Sequence, residues 1–349
     1  MDAFFDFEKP IIQLEKKLQD LRELTKQESV DFTNEIEILE RKVVKLIEEI
    51  YSKLTPWQKV QLSRHPNRPY TRDYVEALFP SFMELHGDRC FGDDQAILAG
   101  TAFWPPALPT SNSSQISQPI PVMIIGHQKG RTTKQKMDRN FGMAKPEGYR
   151  KSMRLMELAE RAQMPIITFI DTPGAYPGAD AEERGQSQAI AESLRLMFGL
   201  DVPILSVVIG EGGSGGALAV GIADQVLMQE FSTYSVISPE SCASILWSDS
   251  GFAEKASEGL KMSPADLMKL GIIDGIIPEP KGGAQRDWNG AFELLGKALI
   301  EKFEPLIISG VLSPKKKKNK ISQSRAEKFR SMGNSALAEI TPANGAQPA

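Results

Sequence analysis

The chain has 349 residues, of which 41% are hydrophobic and 25% are charged, as in an ordinary soluble globular protein. A formal net charge of −4 gives no overall attraction to nucleic acid. The two cysteines, Cys90 and Cys242, form no CxxC pair, so we predict no metal site and a reducing compartment. No apolar run reaches the roughly 18 residues that a membrane span needs.

Two amphipathic stretches open the chain. Apolar residues recur every three or four positions on both sides of a polar break at Gln27–Thr33. They are Ile11, Leu14, Leu18, Leu21, Ile36, Leu39, Val43, Leu46 and Ile50. We therefore predict an N-terminal domain over residues 1–54 that forms an antiparallel helical hairpin and packs against the main domain or a partner subunit.

The main domain is predicted over residues 55–312 and alternates helices with strands. Strands are expected at 96–104 and 120–126, separated by an exposed insertion at 105–119 that is rich in Pro, Ser and Asn. Further elements are expected at 148–163, 165–170, 180–198, 203–209, 214–222 and 225–230. The alternation predicts right-handed crossovers in a layered α/β fold. Residues 313–349, with the run Lys315–Lys320, are predicted to be a disordered, solvated tail.

Two glycine-rich turns follow predicted strands. Asp171–Gly178 follows the strand at 165–170, and Gly210–Gly216 lies between the strand at 203–209 and a helix. Glycines expose successive backbone N–H groups, and a helix N-terminus favours negative charge. Two such turns in one domain favour chemistry that forms two transient oxyanions.

Two local motifs point elsewhere. Gly212–Gly216 fits the GxSxG pattern of a serine nucleophile at Ser214. Against it, all three histidines precede that serine: His65, His86 and His127. Gly210–Gly215 fits the dinucleotide pattern GxGxxG, with Glu230 about 20 residues on. Against that, the motif lies in mid-chain before a short helix.

Other functions stay open on the residues alone. Lys129 and Arg131 follow a predicted strand and are candidates to contact a phosphorylated or carboxylated substrate, although ordinary loop residues would look the same. An acyl-CoA hydratase or hydrolase would need carboxylates beside one oxyanion hole, and Glu182, Glu183 and Glu211 are the nearby ones. A non-catalytic scaffold would use the hairpin and the lysine tail.

Several long runs in order resemble the carboxyltransferase alpha subunits of multi-subunit acetyl-CoA carboxylases. The runs are Phe5–Ile11, Arg64–Thr71, Ile124–Arg131, Phe141–Met143, Pro146–Lys151, Phe169–Gly178, Ala181–Ser187, Val208–Ala219, Ser232–Glu240 and Ile277–Pro280. The resemblance covers about residues 4–104 and 119–312. The sequence departs from the family in its longer insertion, its lysine-rich tail, Asp180 and Ser241.

The resemblance implies a crotonase-like (ClpP/crotonase) fold, a layered spiral of ββα units. The implied reaction moves a carboxyl group from carboxybiotin, held on the biotin carboxyl carrier protein, to acetyl-CoA. The product is malonyl-CoA for fatty-acid synthesis. Proton removal from acetyl-CoA makes an enolate and loss of CO₂ from carboxybiotin makes an oxyanion, so each needs aimed N–H donors. This matches the two glycine turns.

The resemblance also implies site residues in this chain. Gly212 and Gly213 would donate N–H groups to biotin, with Gly174 and Ala175 lining the same cleft as further donors. The implied substrate-binding residues are Ser214, Gly215, Gly216, Tyr176, Lys129 and Arg131.

The implied partners complete the enzyme. The alpha chain would supply the biotin half of the site, and a beta subunit would supply the CoA half and the zinc. The working unit would be an α₂β₂ heterotetramer that also acts with biotin carboxylase. We expect it in the cytoplasm, or in the plastid stroma if the gene is plastid-encoded.

Overall fold

The computed structural model describes residues 4–27, 32–108, 114–312 and 321–333. The strands are β1 Met83–Glu84, β2 Ile97–Trp104, β3 Ile120–His127, β4 Ile166–Thr172, β5 Ile204–Gly213, β6 Gln225–Gln229, β7 Thr233–Ser235 and β8 Gly275–Ile277. The α-helices are α1 Lys9–Gln27, α2 Thr33–Tyr51, α3 Pro56–Ser63, α4 Thr71–Leu78, α5 Thr133–Asp138, α6 Pro146–Arg161, α7 Ala179–Glu183, α8 Gln186–Gly199, α9 Ser214–Leu218, α10 Pro239–Trp247, α11 Ala253–Leu260, α12 Pro264–Lys269, α13 Trp288–Ile307 and α14 Ile321–Ser331. Short 3₁₀ turns lie at Asp6–Glu8, Asn140–Gly142 and Ser250–Phe252, and a π-helical turn lies at Ile308–Leu312.

One mixed sheet forms the centre of the main domain. Its order is β1-β2-β3-β4-β5-β6-β8, and β7 pairs with the end of β5. The β1–β2 and β2–β3 pairs are antiparallel, whereas β3, β4, β5, β6 and β8 run parallel. Every residue of β4 is buried, as expected for a parallel strand covered on both faces. The strand predictions are confirmed.

Helices cover both faces of the sheet. Leu155 and Met156 of α6 pack with Met197 of α8 against one face. Tyr74 of α4 and Phe303 of α13 pack against the other. These layers confirm the predicted α/β architecture, and they bring the carboxyl ends of β3, β4 and β5 to one edge, where ligands of such sheets bind.

The predicted N-terminal hairpin is present as α1 and α2. Arg22 and Glu40 form an ion pair of 2.5 Å between the two helices. Ile11 and Ile47 pack into an apolar cluster that also contains Phe231 of the main domain. The hairpin is therefore fastened to the domain by its apolar stripes. No helix of the described residues is both long and apolar enough to cross a membrane.

The insertion at 105–119 is not simply exposed. Its described ends are residues 105–108 and 114–119, and Ile116 is only 8% exposed. The side chain of Glu304 on α13 accepts hydrogen bonds from the hydroxyl of Ser114 and the backbone N–H of Gln115, each at 2.5 Å. A buried carboxylate needs such donors, so the end of the insertion is drawn onto the domain.

The tail also differs from its prediction. The run Lys315–Lys320 lies outside the described residues, but α14 follows it as an ordered helix. Arg325 of α14 is 1% exposed, forms an ion pair of 2.9 Å with Asp224, and donates to three backbone carbonyls around the end of α8. The composition of the tail did not predict this helix, because its docking depends on the contacts of a single buried arginine.

Candidate active site

The two predicted glycine turns lie against each other. β4 ends at Thr172, which stands opposite Gly212 of β5. A methyl group at Gly213 would overlap the carbonyl oxygen of Pro173, and one at Gly216 would lie 2.5 Å from the amide nitrogen of Ala175. Both distances would be far shorter than a normal van der Waals contact, so only glycine at these two positions lets the backbones approach so closely. The fold thus joins two turns that are about 40 residues apart in sequence into one surface.

The second turn is shorter than predicted. β5 runs through the glycines to Gly213, because Gly212 pairs with Thr172 on one side and with Tyr234 of β7 on the other. The backbone of Gly212 is therefore flanked by strands and lies in the sheet. The chain turns at Ser214, whose φ is +52°, and there α9 begins. A Cβ at Gly215 would meet Ile190 at an ordinary 3.6 Å.

The backbone donors of the site are more restricted than the motifs suggest. The N–H of Gly174 already donates to the hydroxyl of Thr172 at 3.1 Å, so Gly174 lines the surface but is not an available donor. The N–H of Tyr176 donates to the carbonyl of Ala144 at 3.0 Å. Within the described chain, the N–H of Ala175 donates to no acceptor, and the first N–H groups of α9 have no intrahelical partner.

Gln186 braces the first turn and was missed as a functional residue. Its buried amide donates to the carbonyls of Ala144 and Tyr176, each at 2.9 Å. The predicted helix 180–198 breaks into α7 and α8 at Gly185, whose φ is +79°, and this break aims Gln186 inward. The motif Arg-Gly-Gln was the sequence signal that could have identified Gln186.

Tyr176, another predicted substrate-binding residue, has its ring beneath the ammonium of Lys145 at 4.9 Å.

Lys129 is buried in an ion-pair network instead of facing a substrate. Its ammonium lies 2.8 Å from Asp171 and 2.7 Å from Glu211, the residues at the ends of β4 and β5. The N–H of Glu211 donates to Asp171 at 3.2 Å. Arg64 continues the network, 2.8 Å from Glu211 and 2.6 Å from Glu240 of α10. The network therefore ties together β3, β4, β5 and α10 beneath the glycine turns.

Arg131 is also held away from the turns. It pairs with Asp73, and its guanidinium lies 4.4 Å from the ring centre of Tyr70 and 4.6 Å from that of Trp288. The expectation that Lys129 and Arg131 contact an acidic substrate is therefore not supported by their contacts.

Glu211, Lys129 and His127 are not poised for proton transfer near neutral pH. Burial disfavours charge on Glu211, but Lys129 and Arg64 outweigh it and lower the pKa of Glu211. Burial likewise opposes the charge of Lys129, yet Asp171 and Glu211 raise the pKa of Lys129 above its ordinary value. Burial, followed by the charge of Lys129, lowers the pKa of His127 to about 3. His127 is therefore a neutral, fully buried imidazole.

The alternative functions lack the contacts that they need. No hydrogen bond joins the exposed Ser214 to a histidine in the described chain, so a serine-hydrolase pair is absent there. Glu230 accepts from the backbone N–H of Glu279 at 3.1 Å, in a structural contact. Glu182 and Glu183 are exposed, and Glu211 is neutralised by its two cations. A hydratase has no acid–base pair in this arrangement.

The surface beside the turns is a crevice and not an enclosed pocket. It is lined in part by Pro173, Gly212, Gly213 and Arg64, and its volume is about 20 Å³. Such a volume holds about one water molecule. The described residues around this crevice therefore enclose no ligand-sized space.

Relatives cover almost the entire chain. The "Acetyl-coenzyme A carboxylase carboxyl transferase subunit alpha" of Geobacillus sp. (strain WCH70) is 51% identical over 337 residues, which are 97% of this chain and 98% of that protein. The protein of the same name from Listeria monocytogenes serotype 4b (strain CLIP80459) is 50% identical over 328 residues, covering 94% of this chain and 97% of that protein.

Solved structures are similar over part of their length. The transcarboxylase 12S crystal structure with methylmalonyl-coenzyme A and methylmalonic acid bound has a TM-score of 0.49 at 15% identity, over 72% of this chain and 44% of that chain. The beta subunit of P. aeruginosa geranyl-CoA carboxylase also has a TM-score of 0.49 at 15% identity, over 73% of this chain and 46% of that chain. This chain spans less than half of either one.

A family model matches nearly the whole of the described chain. The family described as "Acetyl co-enzyme A carboxylase carboxyltransferase-like" matches residues 4–333, which include the hairpin, both glycine turns and α14. With relatives about half identical over nearly the full length, the chain therefore belongs to the acetyl-coenzyme A carboxylase carboxyltransferase family.

Proposed function

We propose that this chain is the alpha subunit of an acetyl-CoA carboxylase carboxyltransferase, which transfers a carboxyl group from carboxybiotin to acetyl-CoA and yields malonyl-CoA for fatty-acid synthesis. Family membership and the names of its relatives support the reaction. The structural observation that carries the proposal is the contact between Gly216 and the Ala175 amide, which brings two sets of backbone donors to one surface.

The glycine surface offers backbone N–H groups, which suit the ureido oxygen of biotin. A Cβ at Gly213 or Gly216 would overlap the opposite turn, so the two backbones lie in direct contact and together form one surface, the glycine cradle. We assign Gly213, Ala175 and the opening residues of α9, Ser214 to Gly216, to holding the group. Carboxybiotin, when bound on its carrier protein, supplies the carboxyl group for transfer.

The role of the chain in transfer is electrostatic. Backbone N–H groups at the cradle stabilise negative charge on an oxygen, and each aimed donor typically contributes about 10²- to 10³-fold in rate. The donors need no reorganisation, because Gln186 and the Lys129 network hold the two turns from behind. Acid–base catalysis by this chain is not required, in keeping with the neutral His127 and the paired Glu211.

We further propose that the site is completed by a beta subunit. The crevice of about 20 Å³ has room for little more than a water molecule, so this chain alone encloses no acyl-CoA. The beta subunit would bind acetyl-CoA and carry the zinc, in an α₂β₂ unit that works with the biotin carboxyl carrier protein and biotin carboxylase. A cytoplasmic location belongs to the same proposal, by analogy with the bacterial relatives.

The test is malonyl-CoA-dependent carboxylation of biocytin. It is run with this chain, with a matching beta subunit, and with the two mixed, after gel filtration has shown that the complex forms. We expect turnover only in the mixture. A complex that forms and shows no turnover would refute the carboxyltransferase assignment, whereas turnover by this chain alone would refute the shared site.

A further inference from the structure

A second, polar cavity lies beside the carboxyl end of β3 and contains none of the glycine-turn residues. Its volume is about 290 Å³, and its walls include Arg72, Glu84, Asp93, Arg139 and Lys151. A liquid-water molecule occupies about 30 Å³. The cavity therefore has room for a small organic molecule and is much larger than the crevice at the glycine turns.

Most of the charges in this cavity are already paired. Arg72 lies 2.7 Å from Glu84, and Lys151 lies 2.6 Å from Asp93. These contacts neutralise two cations and two anions. Arg139 remains, since no carboxylate of the described residues lies within ion-pair distance of its guanidinium. The walls thus carry one uncompensated positive charge.

Arg139 is also short of a hydrogen-bond acceptor. Its Nε atom is buried and has no partner in the described chain. Burial, and next the neighbouring guanidinium of Arg72, lower the pKa of Arg139, and the charges of Glu84 and Asp138 oppose this shift only in part. A buried donor and an uncompensated cation are both costly, and an anion in the cavity would relieve both.

We propose that this cavity binds a small carboxylate ligand, with Arg139 as its principal contact and Arg72 as a second donor. A carboxylate suits the planar, forked guanidinium and neutralises the one remaining charge. The cavity is large for an acetate-sized group alone and leaves room for a short organic acid. The site is independent of the proposed function because it shares no residue with the glycine cradle.

Residues that line this cavity are joined by short segments to the residues that support the glycine turns. Arg139 precedes the 3₁₀ turn Asn140–Gly142, and a Cβ at Gly142 would lie 3.1 Å from the carbonyl oxygen of Asp171 at the end of β4. Gln128, another wall residue, precedes Lys129 of the ion-pair network and donates to its backbone carbonyl at 2.8 Å. A bound carboxylate would therefore lie next to the segment that supports the turns.

The experiment measures thermal shifts with acetate and succinate, each compared with sodium chloride at equal ionic strength. It uses the full chain and its complex with the beta subunit. We expect a saturable rise in melting temperature with at least one acid in both samples. Arg139→Gln should weaken the apparent affinity by about tenfold or more. Arg195→Gln, at an exposed arginine of α8, should leave it unchanged.

The ligand-free proteins give a second readout. Arg139→Gln should melt at or above the wild-type temperature, because the arginine is unpaired in the ligand-free state. A marked fall in melting temperature would show that Arg139 has a structural partner and would overturn the proposal. Absence of a saturable shift, or an equal shift in Arg139→Gln, would also overturn it. A shift seen in the isolated chain but lost in the complex would show that the beta subunit occupies or closes the cavity, and the small-ligand proposal would fail.

Discussion

Gly216→Ala tests the central contact of the proposed site. The new methyl carbon would lie 2.5 Å from the amide nitrogen of Ala175, whereas an ordinary contact begins near 3.4 Å. The Ala175 peptide must therefore move by about 0.9 Å, and a misplacement of about 1 Å costs roughly 10²-fold in rate. Loss of one aimed donor gives a similar value, about 10²- to 10³-fold. We expect kcat for biocytin carboxylation to fall by about two orders of magnitude.

The assay is malonyl-CoA-dependent carboxylation of biocytin by the reconstituted complex, normalised to folded protein by melting and gel filtration. If the donors act in the transition state, kcat and kcat/KM fall together. Gly310→Ala is the matched control, because its methyl carbon would lie 2.6 Å from Pro203 at the opposite end of β5. It should lower stability without lowering kcat.

A second control removes the steric overlap. Gly259→Ala in α11 places its methyl group where no heavy atom lies within 4 Å, and it should behave as wild type. If Gly216→Ala forms the complex and retains more than a third of wild-type kcat, the Ala175 amide is not a donor in this reaction. An equal loss of kcat in Gly310→Ala would show that general destabilisation, and not donor position, causes the effect.

Three further predictions concern buried charges. Lys129→Met should cost about 3–5 kcal/mol of unfolding free energy at pH 7, since it leaves the buried Asp171 without its cation and Glu211 with Arg64 alone. The part of this lost stability that comes from the Lys129–Glu211 pair is fully present above pH 4.5, the ordinary pKa of Glu211. It fades as the pH falls through the lowered pKa that Glu211 has in the folded protein. Urea titrations that show an equal loss at pH 7 and pH 4 would contradict the network. The pKa of His127 is about 3 in the folded protein and 6.5 in the unfolded chain. Below pH 6.5 only the unfolded chain gains a proton at this residue, so the free energy of unfolding is full above pH 6.5 and falls on acidification. Wild type should lose about 2 kcal/mol between pH 7.5 and 5 from this residue, and His127→Phe should lack that step in the pH profile. Arg325→Met should leave Asp224 unpaired and speed hydrogen exchange in α14 by at least 10²-fold, and unchanged exchange would show that other contacts anchor the helix.

The layered fold could be predicted because its signals are local. Helical and strand periodicities lie within single segments, and they located α1, α2, α6 and the main strands to within a few residues. The glycines of both turns could be identified for a similar reason, since close backbone approach excludes a side chain. The layered α/β architecture implied by the family resemblance is likewise confirmed, with parallel and antiparallel strands in one sheet.

Contacts across the fold could not be predicted from these local signals. Lys129 and Glu211 are 82 residues apart, and only the pairing of β3, β4 and β5 makes them neighbours. Because of this strand pairing, Lys129 does not contact a substrate as the sequence suggested but is buried beneath the glycine turns and supports them. Gln186 lies within a stretch predicted as one continuous helix, and only the break at Gly185 aims its side chain inward.

The sequence by itself determined most of the elements, the family and the glycines of the two turns, because periodicity, motifs and the absence of a Cβ are properties of the chain. Tertiary structure alone decided which amides remain as donors: Thr172 engages the Gly174 N–H, whereas Ala175 faces Gly216. It also decided that α14 docks through Arg325. The physical reason is that hydrogen bonds and ion pairs depend on distances between atoms, and those distances are set by how separate segments pack.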